Sequence, residues 1–140
     1  MLQIMLTPLR RYADFRGRSG REEFWLFMLF NYIVAMAYGA ALGLIFLLFA
    51  LMDMRESDMI DALTFLLVPW ALYSLYLFVP ALAVTVRRLH DTDRSGWHIL
   101  LGLIPLVGSI FLMLWYATRV TAGPNRYGAP PADEAALAFA

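Results

Sequence analysis

The sequence contains no cysteine and no lysine. Without cysteine there are no disulfides, thiolate metal centres or cysteine nucleophiles. Without lysine, all eleven basic residues are arginine, and eleven acids balance them to a net charge of zero. No bulk field draws such a chain to nucleic acid, which is not expected as a partner. Charge is sparse as well: 16% of residues are charged, against about a quarter in a soluble domain. No P-loop, nucleophile elbow or H-E-x-x-H pattern occurs. No long internal repeat supports the inverted halves of a secondary transporter, and no lipidation motif is visible.

What fills the 140 residues is apolar: 61% are hydrophobic and mean hydropathy is +0.65. This composition predicts an all-α integral membrane protein. Three transmembrane helices are expected, at about 24–52, 62–86 and 97–118. The first run, Phe24 to Met52, exceeds the roughly 7–15 residues of a signal-peptide core and reads as a retained span. Segment 1–23 is expected to hold a short interfacial helix starting at Thr7 and Pro8, and 119–140 a polar, disordered tail. Ser19 and Glu22 have the spacing of a capping box for the first span. Along that span Asn31, Ala35, Gly39 and Gly43 share one helical face. Small residues there allow close helix approach, and Asn31 is expected to hydrogen-bond between helices. The stripe is a candidate contact for a homo-oligomer and could equally pack spans within one chain. Asp53 to Asp61 forms a loop with four acids and one arginine. Pro69 and Pro80 interrupt the second span, where neighbours must satisfy the freed carbonyls.

The polar stretch V-R-R-L-H-D-T-D-R-S-G-W, Val86 to Trp97, is wedged between two apolar runs. It is expected to meet the polar residues that precede the first span. The candidate binding cluster is therefore Arg16, Arg18, Arg21, Glu22, Glu23, Arg87, Arg88, His90, Asp91, Asp93 and Arg94. On a continuing helix Arg87 and Asp91 would pair at i,i+4. Ser95 and Gly96 are expected to cap the third span, and Trp115 and Tyr116 to mark the far interface. Arginine counts orient the spans: eight lie in the N-terminal segment and at 87–94, three in the other loop and the tail. With three full spans the N-terminus is cytoplasmic and the C-terminus external, too far for Asn125 and Arg126 to join the cluster. The alternative is a re-entrant hairpin at Pro105 to Gly108, which would bring all three polar motifs to one face.

Three readings of the cluster compete. One is a structural ion-pair network, whose exposed pairs would contribute about 0–1 kcal/mol each. A second is recognition of an anion, such as a lipid headgroup, or of a membrane protein partner. A third is an oligomeric transporter or channel component, or a membrane enzyme using His90 and Asp91. The third is weakest, because adjacent helical residues do not face each other and one His with scattered carboxylates lacks a metal-site pattern. No metal, cofactor or catalytic residue is expected.

Four stretches in order carry a family likeness: Phe15 to Trp25, Arg87 to Trp97, Ile104 to Gly108 and Gly123 to Gly128. Together they resemble the bacterial "domain of unknown function 805" family of small inner-membrane proteins. The spacing Gly123-Pro124-Asn125 is tighter than that pattern expects. The resemblance implies a bacterial inner-membrane location and supplies no activity.

Overall fold

The computed structural model describes residues 2–52, 55–119 and 123–131. Its elements are α1 (Leu2–Arg10), α2 (Arg21–Leu51), α3 (Glu56–Asp91), a 3₁₀ helix (Gly96–Leu103) and α4 (Val107–Ala117). No strand occurs among the described residues. With 31 residues in α2 and 36 in α3, the helices are about 46 and 54 Å long at 1.5 Å per residue. Both exceed the roughly 30 Å of bilayer hydrocarbon, and both are apolar enough to cross it. The molecule is an all-α membrane protein.

The chain divides into two compact units, Leu29–Phe78 and Met1–Met28 with Val79–Ala140. The first holds the last three-quarters of α2 and the first two-thirds of α3. Leu42, Ile45 and Phe49 of α2 and Ala62, Leu63 and Leu66 of α3 line one small cavity. The 3–4 residue spacing puts each set on one helical face. Tyr38 stacks on Trp70 at 4.4 Å, 12° from parallel, and its hydroxyl donates to the Leu66 carbonyl. That carbonyl is one residue beyond the Phe65 carbonyl that Pro69 leaves without its helical donor. The small-residue stripe does not make this contact. Ala35, Gly39 and Gly43 are exposed, and nothing lies within 4 Å of a Cβ built at either glycine. Asn31 is half-buried and bonded.

The second unit holds the polar motifs. Phe24, Phe27 and Val84 form its apolar centre, with Leu9, Met28, Ala81 and Tyr116 packed around them. α1 differs from the expected interfacial helix. It ends where that helix was expected to start: Thr7 Oγ1 bonds back to the Gln3 carbonyl at 2.9 Å, and Pro8 is fully buried. The Ser19 capping box is not made. Ser19 donates its backbone N–H to the Arg87 carbonyl at 3.2 Å, while its buried hydroxyl has no partner among the described residues.

The stretch 97–118 is two short pieces rather than one long helix. The 3₁₀ helix of 8 residues rises about 16 Å. α4, with 11 residues, also rises about 16 Å. Ser95 caps the 3₁₀ helix, accepting the Trp97 N–H at 3.4 Å. Between the pieces the chain reverses through Ile104 to Leu106, where Leu106 has φ +62°, a conformation uncommon for a non-glycine residue. Gly108 permits the turn, since a Cβ there would sit 1.6 Å from the Leu101 carbonyl oxygen.

Candidate functional site

Arg87 and Arg88 lie in the last two turns of α3, Arg18 just ahead of α2, and all three are buried. The expected i,i+4 pairing of Arg87 with Asp91 does not form. Asp91, also fully buried, instead takes two guanidinium groups. Arg18 Nε donates to its Oδ1 at 2.9 Å, and Arg88 Nη1 donates to its Oδ2. Arg87 turns the other way and pairs with Glu23 at 3.0 Å. Glu23 sits in the first turn of α2, where the helix dipole favours a carboxylate. Arg87 also donates to the Asp14 carbonyl at 2.7 Å, which holds the turn after α1.

Three arginines against two acids leave one positive charge, and backbone carbonyls solvate it. Arg18 Nη1 donates to the Gly123 carbonyl at 2.8 Å and to that of Gly128 at 3.4 Å. Arg88 donates to the carbonyls of Tyr116, at 3.1 Å, and Thr118. One buried guanidinium donor, Arg87 Nε, has no acceptor among the described residues.

The closing motif Gly123 to Gly128 is therefore part of the site. It forms a tight turn in which Asn125 and Gly128 exchange backbone bonds at 3.1 and 3.0 Å. Asn125 Nδ2 donates to the His90 carbonyl at 2.9 Å. Tyr127 stacks on the His90 ring at 3.8 Å, 5° from parallel. Arg126 reaches Asp93, 3.2 Å from its carboxylate. The expectation that Asn125 and Arg126 lie too far from 87–94 is thus corrected, because the reversal at Ile104 to Leu106 returns the chain. Trp115 returns with it and lies under the Arg94 guanidinium at 4.6 Å, not at a far interface. Residues 123–131 belong to the fold, whereas 120–122 and 132–140 of the expected disordered tail lie outside the described residues.

The candidate residues separate into three groups. Arg18, Glu23, Arg87, Arg88 and Asp91 make the buried knot. His90, Asp93 and Arg94 surround it: His90 Nδ1 lies 3.2 Å from the Gly17 carbonyl, and Arg94 rests on Trp115. Arg16 and Glu22 are exposed, and Arg21 is half-buried. Residues 1–23 also contribute Asp14, whose carboxylate takes Arg11 at 2.7 Å and the Arg16 backbone N–H at 3.0 Å. The Arg11 guanidinium, then that N–H, hold its pKa below the usual aspartate range. Sequence reasoning missed Asp14, Tyr127 and the carbonyls that accept from arginine. Tyr127 lay in a motif that was recognised and set apart, while a carbonyl acceptor carries no side-chain signature at all.

The bonds make a clamp, not an open constellation. Each buried guanidinium is engaged by protein acceptors, and no group of three His, Asp or Glu placed for a metal occurs among the described residues.

Comparison with known proteins agrees in family and leaves chemistry open. The chain is 40% identical over 130 residues to inner membrane protein YhaI of Escherichia coli strain K12, covering 93% of this chain and 96% of that protein. It is 36% identical over 126 residues to inner membrane protein YhaH of the same strain, covering 90% and 93%. No solved structure matches. The family of proteins of unknown function DUF805 matches residues 12–129, from the turn after α1 to the closing loop. That range takes in the whole arginine clamp, and the chain belongs to the DUF805 family.

Proposed function

We propose that this is a multi-pass bacterial inner-membrane protein that associates with anionic lipid, with its arginine clamp and both chain ends on the cytoplasmic side. One observation carries the topology. Gly123 and Asn125 are hydrogen-bonded to Arg18 and to the His90 carbonyl, and all four residues lie in one compact unit. The 3₁₀ helix and α4 are each about half the hydrocarbon thickness. This favours a re-entrant third segment over a third crossing. Ten of the eleven arginines then fall on one side and only Arg55 on the other, a steeper bias than three crossings give. The two relatives named as inner membrane proteins support the location.

The buried arginines hold the fold together, so lipid recognition falls to the outer ones. Arg10 and Arg16 are exposed and Arg94 half-buried, and arginine forks suit phosphate. Two measurements test the proposal. Paired reporters fused after Ala140, one active only in the cytoplasm and one only outside, should report an inside tail; an outside tail overturns the topology. Phospholipid retained through purification in mild detergent should be enriched in anionic species over the bulk membrane. Retention in bulk proportion overturns the lipid reading.

A further inference from the structure

An apolar cleft of about 340 Å³ opens in the unit that contains both chain ends. One face of α4 supplies its longest wall. Ser109, Leu112, Met113 and Tyr116 line it, at the i, i+3, i+4, i+7 spacing of a single helical face. That face is about 10 Å long at 1.5 Å per residue. Trp25 of α2 and Gly102 of the 3₁₀ helix belong to its other walls. The two aliphatic hydroxyls in the lining are engaged on their own chain. Thr85 bonds to the Ala81 carbonyl at 2.7 Å, and Ser109 to that of Leu106 at 2.9 Å. They offer a polar occupant little, and hydrocarbon fits the rest.

Two observations bear on what fills the cleft. It is open, since Trp25, Ser109 and Met113 are exposed. Its mouth also continues into the apolar surface that Ile110, Phe111 and Leu114 expose on the same helix. On a membrane protein that surface borders lipid. The ends of the α4 face differ as well. Tyr116 gives its carbonyl to Arg88 of the clamp at 3.1 Å, whereas Ser109 bonds into the apolar reversal at Leu106. One polar end and one apolar end match the chain of an amphiphile. A partner helix 10–12 Å across would need roughly 950 Å³ over the same length, well over twice the space present.

We infer that this cleft is a binding site for one acyl chain of a bilayer phospholipid, seated along the Ser109–Tyr116 face of α4. The site rests on the membrane location and reads the chain rather than the headgroup. It therefore stands or falls separately from the anionic-lipid reading above.

Trp25 reports on the site directly. It lines the cleft, and Trp70, Trp97 and Trp115 do not. The test uses the full chain carrying Trp70→Phe, Trp97→Phe and Trp115→Phe, in mild detergent, titrated with phospholipid brominated on its acyl chains. Quenching of Trp25 should saturate near one lipid per protein. A second chain that keeps only the exposed Trp97 should show quenching that follows the lipid-to-detergent ratio without saturating. Ser109→Phe and Met113→Phe each add bulk from an exposed position of the lining. Each should weaken the saturable phase about tenfold, equivalent to excluding about two methylenes. Ile110→Phe, on the same helix but outside the cleft, should leave it unchanged. Two lining variants keep the test decisive where one of them fails to fold. Brominated phosphatidylglycerol and phosphatidylethanolamine should saturate alike; saturation by phosphatidylglycerol alone overturns the chain as the part recognised and leaves anionic association standing. Quenching at Trp25 that never saturates, or that both lining variants leave intact, overturns the site. Trp25 shielded from quenching in a dimeric protein assigns the cleft to a second copy and overturns lipid as the occupant.

Discussion

The two units use opposite means of holding helices together. In Leu29–Phe78, Leu, Ile and Phe side chains of α2 and α3 line one small cavity, and a stacked aromatic pair and a tyrosine hydroxyl join the two helices. In the unit that contains both chain ends, three arginines and an aspartate are buried beside phenylalanines. The difference follows from solvent. Hydrocarbon offers apolar side chains no reason to leave it, so helices there associate by close packing and a few hydrogen bonds. Water at the membrane edge makes burial favourable, and about 1.5–3 kcal/mol per large apolar side chain becomes accessible. That gain can offset the desolvation of paired charges, and the pairs then dictate which segments meet. The exposed-pair magnitude expected from sequence does not apply to them: Arg18, Arg88 and Asp91 have side chains at most 1% exposed, where breaking a pair costs far more than the pair contributes.

Asp91→Asn is the strongest way to break this comparison. It leaves two buried guanidinium groups without a counter-charge and should destabilise the protein by about 3–5 kcal/mol. Thermal unfolding in mild detergent would read it as a large drop in midpoint. A shift as small as that of a surface mutation would mean that the clamp is solvated and not structural.

Glycine substitutions sharpen the contrast at the next level. Gly108→Ala drives a Cβ into the Leu101 carbonyl and should cost about 1–3 kcal/mol through forced backbone shifts. Gly39→Ala meets nothing within 4 Å and should gain up to about 1 kcal/mol from helix propensity. A loss at Gly39 together with a change in oligomeric state would reveal that a second copy covers the stripe.

Arg126→Ala removes an exposed pair. Arg126 and Asp93 are 59% and 48% exposed, so the ion pair itself contributes about 0–1 kcal/mol. The expected result is a small change in midpoint that 1 M salt largely abolishes in advance. A loss near that of Asp91→Asn would place the outer loop inside the cooperative core.

The smallest effect concerns pH. The Asp14 carboxylate is stabilised in the folded chain by Arg11 and the Arg16 N–H, so its folded pKa lies below the unfolded one. Its contribution is fully present above the unfolded value, about 3.9, and is lost as pH falls through the lowered folded value. The midpoint difference between wild type and Asp14→Asn should be flat from pH 5 to 8 and shrink only below about 4. A difference that varies between pH 6 and 8 would assign the effect to another group.

The sequence by itself determined the solvent. Apolar content, the long runs that became α2 and α3, and the position of every charged motif were all readable, because a membrane helix is specified by local composition. The residues of the clamp were also readable, since Arg18, Glu23, Arg87, Arg88 and Asp91 stand out from apolar flanks. Only the tertiary structure decided their pairing. Arg18 and Asp91 are 73 positions apart and Arg18 and Gly123 are 105 apart. Such separations leave no periodic trace, whereas the i,i+4 spacing of Arg87 and Asp91 suggested a local pair that does not form. The course of the third apolar segment was equally hidden. Its Leu- and Ile-rich residues suit a crossing helix as well as a 3₁₀ turn followed by α4, because both need only hydrophobicity. What separates the two is the reversal at Leu106 and the close approach of Gly108 to Leu101. That choice is made by packing against the rest of the fold, where the polar loop at 123–128 meets an acceptor on α3, the His90 carbonyl, and a donor in Arg18 that no local rule could have named.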